Sequence, residues 1–160
     1  MSDIFFNESV ILLDLEAKTS KEVLTLMSKH LNEKRLIKDS YLEAVVSREK
    51  EFPTGLPTKG ISVAIPHTDA EHVKQKTISL AILKDPVEFG VMGDPHQTTP
   101  VKLVFMLAMD EADAQLNLLQ NLMKVFQDEE MLQFLVSEKD KSKIVNVLKE
   151  NLDLTIQGGD

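Results

Sequence analysis

The stretch from Val101 to Met109 constrains the fold most, because every residue in it except Lys102 is apolar. It is too short to span a bilayer, and a run that is apolar on both faces is typical of a strand buried in the middle of a sheet. We therefore expect a sheet with this strand at its centre, covered on both sides by other parts of the chain.

The rest of the chain alternates between strand and helix signals. Strands are predicted at residues 9–15, 60–65 and 77–83, with a short extra strand at Val87 and Phe89 inside an otherwise turn-rich segment. Capping boxes at residues 19–22 and 40–43 predict two helices, the second ending near Glu51; later helices are expected along the apolar stripe of residues 116–126, from Asp128, and over residues 141–152. This order predicts a single-domain α/β sandwich over residues 1–160, with its core at about 5–152 and a frayed tail at 157–160.

Charge and cysteine content exclude several functions. The 160 residues include 18 basic and 26 acidic side chains, which give a net charge of −8 and argue against nucleic acid or an anionic membrane surface as the main partner. The chain has no cysteine, so it forms no disulfide, thiol nucleophile or cysteine-liganded zinc site. We expect a cytoplasmic protein that does not insert into the membrane and whose partners are proteins or small molecules.

His67 is the strongest candidate for chemistry. It follows the short apolar strand at residues 60–65, and Pro66 fixes the backbone where that strand ends. Because ligands collect at the carboxyl ends of strands in α/β sheets, this imidazole suits a working residue, and neutral imidazole is a competent nucleophile for phosphoryl groups. Arg48, just upstream, has two interpretations: a solvated helix residue within Arg48–Glu51, or a guanidinium that binds a phosphate on His67.

The other histidines carry weaker signals. His67, Asp69 and His72 have the pattern of a metal site, but no further ligand pair at a known spacing accompanies them, so no metal is expected. His30 and His96 are interpreted as solvated residues.

Two motifs carry a resemblance to a known family. Residues 48–55 read REKEFPTG and residues 64–67 read AIPH. This wording resembles the IIA component of the bacterial phosphoenolpyruvate-dependent sugar phosphotransferase system, fructose-mannitol superfamily, and within it the galactitol-specific branch. The resemblance covers roughly residues 5 to 150.

The resemblance implies a mixed sheet and a phosphotransferase that needs no cofactor. His67 would accept a phosphoryl group from the phosphocarrier HPr and pass it to a cysteine of a IIB component that works with a membrane IIC, while Arg48 would bind the phosphoryl oxygens. Mannitol and fructose members share a second histidine, and at the matching position this chain has Gln115, as galactitol members do. The amide of Gln115 is a candidate hydrogen-bond donor to the phosphate. A regulatory module of the same fold, switched by phosphorylation of His67, is the alternative; a metal-dependent enzyme is a third and weaker one.

Overall fold

Seven strands form one mixed sheet in the computed structural model, which describes residues 4–58, 60–109, 112–152 and 156–157. In chain order the strands are β1 (Ile4–Phe5), β2 (Ile11–Leu15), β3 (Gly55–Leu56), β4 (Ser62–Ala64), β5 (Thr77–Val91), β6 (Asp94–Ala108) and β7 (Ile156–Gln157). Their order across the sheet is β3-β4-β6-β5-β1-β7, and β2 also pairs with β5. The β4–β6 pair is parallel and the β5–β6 pair antiparallel. The α/β fold with a mixed sheet is as predicted.

Five helices within these ranges flank the sheet: α1 (Ser20–Glu33), α2 (Ser40–Glu51), α3 (Ala112–Phe126), α4 (Glu129–Ser137) and α5 (Lys141–Leu152). They pack in two groups, α1 with α2 and α3 with both α4 and α5. The predicted cap of α1 is present, because the Thr19 hydroxyl oxygen accepts a hydrogen bond from the Glu22 N–H at 3.1 Å. Among the described residues no helix is long and apolar enough to cross a membrane.

The centre of the sheet confirms the interpretation of Val101–Met109. The side chains from Leu103 to Met109 are fully buried, and β6 lies between β4 and β5. This places the carboxyl ends of the parallel strands β4 and β6 side by side, where α3 begins.

The sequence predicts mostly loop between residues 84 and 100, and that prediction is wrong. β5 and β6 continue as a long hairpin that turns at Gly93, whose φ is +80°. Pro100 lies inside β6 and pairs with Glu88. The local signals favour turns, but cross-strand pairing and burial of Val87 and Phe89 stabilise the extended backbone.

Three smaller predictions fail in whole or in part. The hydroxyl of Ser40 does not cap α2; it bonds the Nδ1 of His72 at 2.8 Å. On α3 the predicted apolar stripe is right for Leu119, Leu122 and Phe126, which pack in or against the core, and wrong for Leu116 and Met123, which are exposed. Gln157, assigned to a frayed tail, pairs with Phe5 in the sheet; residues 158–160 lie outside the described residues.

Candidate active site

His67 lies three residues beyond the end of β4, beside the carboxyl end of β6. A single parallel bridge joins it to Leu107, and the carbonyl oxygen of Pro66 accepts a hydrogen bond from the Leu107 N–H at 3.0 Å. The phenol of Tyr41, fully buried on α2, donates to the Leu107 carbonyl oxygen at 2.7 Å. The backbone under His67 is therefore held by both the central strand and α2.

The ring of His67 has a defined protonation pattern. Its Nδ1 lies 2.8 Å from the carbonyl oxygen of Ile65, and since a carbonyl only accepts, Nδ1 carries the proton. The other ring nitrogen, Nε2, then has a free lone pair in the neutral imidazole. This is the nitrogen that is available as a nucleophile.

The surroundings of His67 keep the ring neutral. Burial lowers the pKa of His67, and the nearby charge of Arg48 lowers it further, while the hydrogen bond to Ile65 and the charge of Asp69 oppose this change. At neutral pH the ring is therefore mainly uncharged, which is the form that can attack phosphorus.

Arg48 lies in the last turn of α2, close enough to affect the charge state of His67. Its guanidinium carbon lies 5.5 Å from the centre of the Phe52 ring. Its Nε is buried and has no hydrogen-bond partner among the residues that the structure describes. A positive group with a buried, unused donor, close enough to a nucleophile to affect its charge, is suited to binding an anion. These contacts contradict the simple interpretation of Arg48 as solvated helix surface.

Glu49, the neighbour of Arg48, is buried, with only 7% of its surface exposed. Its carboxyl oxygens accept hydrogen bonds from the Thr54 N–H and from the Thr54 hydroxyl, both at 2.8 Å. Burial raises the pKa of Glu49 to about 7. The two hydrogen bonds from Thr54 lower this pKa, but their effect is smaller than that of burial. Sequence reasoning missed both residues, although Glu49 follows Tyr41 and Val45 at four-residue spacing on the buried side of α2.

Gly55 is the last residue of the REKEFPTG motif, and its close packing explains why a glycine is needed there. A Cβ at this position would lie 2.5 Å from the carbonyl oxygen of Gly90 in β5, so no larger residue fits without moving the hairpin. Gly55 therefore lies between the hairpin and β4, where it pairs with Ala64.

Gln115 belongs to the first turn of α3, which follows β6 and so begins near the bridge between His67 and Leu107. Its side chain lies outside what the structure describes. The role of Gln115 therefore stays a prediction.

The three-residue metal pattern is not assembled. Among the described residues, no group of three His, Cys, Asp or Glu side chains is arranged to hold a metal ion. His72 instead bonds Ser40 at the start of α2. His96 is exposed on the hairpin, as expected, whereas the Nδ1 of His30 is buried.

Comparison with known proteins identifies relatives of this chain. Residues 4–151 match the family model described as "Phosphoenolpyruvate-dependent sugar phosphotransferase system, EIIA 2". The galactitol-specific EIIA component of the phosphotransferase system from Escherichia coli strain K12 is 29% identical over 137 residues, which make up 86% of this chain and 87% of that protein. The transcriptional regulator ManR of Bacillus subtilis is 34% identical over 104 residues, which are 65% of this chain and 14% of the regulator.

A solved structure shares the fold. The complex of enzyme IIAMTL and phosphorylated enzyme IIBMTL from Escherichia coli matches with a TM-score of 0.71 at 21% identity, covering 94% of this chain and 98% of that chain. The family match spans nearly all of the described residues. The chain therefore belongs to the EIIA 2 family of the phosphoenolpyruvate-dependent sugar phosphotransferase system, as its motifs predicted.

Proposed function

We propose that this chain carries a phosphoryl group on Nε2 of His67, accepting it from phosphorylated HPr and passing it to a cysteine of a IIB component. One observation carries the proposal: the bond from Nδ1 to the Ile65 carbonyl leaves Nε2 as the free nucleophile, beside Arg48. Family membership supports the same class of reaction.

The transfer is a pair of in-line displacements. In the first, the Nε2 lone pair attacks the phosphorus of the donor's phosphohistidine, the new N–P bond forms, and the donor imidazole leaves with the electrons of the old N–P bond. In the second, a cysteine thiolate attacks that phosphorus, and His67 leaves as the neutral imidazole with Nδ1 still protonated. Both steps use only protein side chains, so no cofactor is required.

Two side chains are proposed to stabilise the negative charge of the phosphoryl group. Arg48 has an unused buried donor and binds the equatorial phosphoryl oxygens, over which the charge is spread in the transition state. We assign the amide of Gln115 a further hydrogen bond to the same group. Because phosphohistidine is hydrolysed by water, the partly buried position of His67 also protects the carried group.

The partner surface is expected around His67. Phe52, beside Arg48, and Leu116, one residue after Gln115, are each 57% exposed. Large exposed apolar side chains around a polar site are typical of a protein interface. A shuttle must release each partner quickly, so this interface should lie near or below about 1,200 Å² in total.

The transported substrate is proposed to be galactitol or a related polyol, delivered through a membrane IIC component. The galactitol-specific relative supports this branch. The resemblance implies the same, because Gln115 would stand where mannitol and fructose members have a second histidine. The IIB recipient is supported by the related solved structure, in which a IIA is in complex with a phosphorylated IIB.

A regulatory module is the second candidate, because part of ManR matches this chain. In that role, phosphorylation of His67 would change contacts with a regulator, and no IIB would be phosphorylated. The same site chemistry serves both roles, so the two differ in the recipient.

The test is a reconstituted transfer. The chain is incubated with phosphoenolpyruvate, enzyme I and HPr, separated from them, and then mixed with a galactitol-type IIB. The carrier proposal predicts that label leaves this chain and appears on the IIB cysteine, and that a IIB with that cysteine replaced by serine takes none. Label that stays on this chain with every IIB tried contradicts the carrier role and favours the regulatory one.

A further inference from the structure

A continuous set of hydrogen bonds runs from α2 to the ring of His67. Glu49 accepts from Thr54, the Thr54 hydroxyl oxygen accepts from the Ile65 N–H at 3.2 Å, and the Ile65 carbonyl accepts from Nδ1 of His67 at 2.8 Å. We infer that Glu49 and Thr54 are positioning residues, which fix the backbone of Ile65 so that His67 keeps its proton on Nδ1 and its lone pair on Nε2. The inference rests on the proposed function only for its kinetic part.

The first step is that Ile65 lies where the sheet ladder ends. β3 and β4 pair at Gly55 with Ala64 and at Leu56 with Val63, and the pairing stops one residue before Ile65. The Thr54 side chain therefore takes the place of a strand partner for the Ile65 N–H. The polar groups concerned are buried, since Thr54 is 4% and Ile65 2% exposed, so water does not readily substitute for the lost bond.

The second step is the direction of the bonds. A hydroxyl has one proton to donate, and the Thr54 hydroxyl donates it in a hydrogen bond to a Glu49 carboxyl oxygen at 2.8 Å. The Thr54 oxygen then presents a lone pair to Ile65, as required by an N–H donor. Glu49 also holds the Thr54 backbone N–H, so both the position and the hydroxyl direction of Thr54 depend on this buried carboxyl group.

The third step connects this set to the ring. Ile65 presents its N–H to Thr54 and its carbonyl to His67. These groups belong to the two peptide units joined at the Ile65 Cα, so a change in the Ile65 backbone dihedrals weakens both bonds. Without the carbonyl acceptor, the proton of the neutral ring is free to occupy Nε2, which would block the nucleophile. Small displacements of a reacting group lower rates strongly, so we expect a roughly ten- to hundredfold slower transfer when the set is broken.

The experiment compares Thr54→Val, which has the same shape without a hydroxyl, with Thr54→Ser, which keeps it. Long-range ¹H–¹⁵N correlation spectra of the imidazole nitrogens report which nitrogen of His67 is protonated, and no phosphate is needed. We expect the parent and Thr54→Ser to show protonated Nδ1, and Thr54→Val to gain Nε2–H with slower transfer but an unchanged KM for phosphorylated HPr.

A second pair repeats the test at the other end of the set. Glu49→Gln offers one carbonyl oxygen instead of two and should shift the ring in the same direction, whereas Glu51→Gln, an exposed residue on the same helix end, should behave as the parent does. Thermal unfolding shows whether each variant is folded. If Thr54→Val is not folded, the imidazole spectra of Glu49→Gln test the inference.

The outcomes separate this inference from the proposed function. A parent that accepts no label from HPr contradicts the function but leaves the ring spectra to test the positioning. A folded Thr54→Val, or a folded Glu49→Gln, that has the ring spectrum and transfer rate of the parent overturns the inference while the function stands.

Discussion

Glu49 should make the stability of this protein decrease as the pH rises through neutrality. Burial raises the pKa of Glu49 from its ordinary 4.5 to about 7 in the folded chain. Between these two values the folded state binds more protons than the unfolded state, so the free energy of unfolding falls as the pH rises. This contribution is fully present below about pH 4.5 and is lost above about pH 7.

The magnitude follows from the two pKa values. At about 1.4 kcal/mol per pH unit, the rise from 4.5 to about 7 corresponds to about 3 kcal/mol of unfolding free energy. Glu49→Gln removes the titrating group and should remove this dependence. His67, whose pKa is lowered by burial, contributes with the opposite sign, so the comparison is repeated with His67→Ala in both proteins, which removes that contribution.

The assay is urea unfolding followed by far-ultraviolet circular dichroism between pH 4.5 and 8, because the chain has no tryptophan and a single tyrosine. From low to high pH, the parent should lose about 3 kcal/mol relative to Glu49→Gln. Glu51→Gln is the matched control, since Glu51 is exposed and should leave the parent's profile unchanged. Parallel profiles for the parent and Glu49→Gln would show that folding does not raise the pKa of Glu49.

Three further changes test the rest of the site. Arg48→Lys should slow transfer from phosphorylated HPr nearly as much as Arg48→Ala, by roughly ten- to a hundredfold, because a lost charge-assisted bond costs about 1.5 to 3 kcal/mol; parent rates in both would show a solvated residue. Gln115→Leu should slow transfer while Gln115→His is tolerated and adds a pH dependence between pH 6 and 8; an unchanged rate in Gln115→Leu removes the residue from the site. Tyr41→Phe should lower the free energy of unfolding by about 1 to 3 kcal/mol in urea, because it leaves the buried Leu107 carbonyl without its donor; equal stability would show that this bond contributes little.

The sequence contains enough information for the centre of the fold and for the position of His67 beyond the end of β4. An apolar run such as Val101–Met109 has few stable positions except the middle of a sheet, and Pro66 marks the end of β4. These are local signals, in which the residue type and its neighbours determine the structure.

The β5–β6 hairpin and the buried carboxyl group of Glu49 could not be predicted from local sequence signals alone. Residues 84–100 are rich in turn formers, and their extended form depends on pairing between Phe89 and Thr99 and their neighbours, which no short window contains. Glu49 lies within a charged tetrapeptide that resembles solvent-exposed helix, yet its spacing from Tyr41 and Val45 places it on the buried side. That spacing was available in the sequence, whereas the partner Thr54 became recognisable only once the loop was folded back.

Mapping the phosphorylated residue shows most directly whether His67 carries the phosphoryl group. After incubation with phosphoenolpyruvate, enzyme I and HPr, we expect one modified peptide, phosphorylated on His67, with a bond that acid hydrolyses and base does not. His67→Ala should fold and take no label, whereas His96→Ala, which changes an exposed histidine on the hairpin, should be labelled like the parent. Label on His72 or His96, or a folded His67→Ala that still accepts the phosphoryl group, would show that another residue is the phosphoryl carrier.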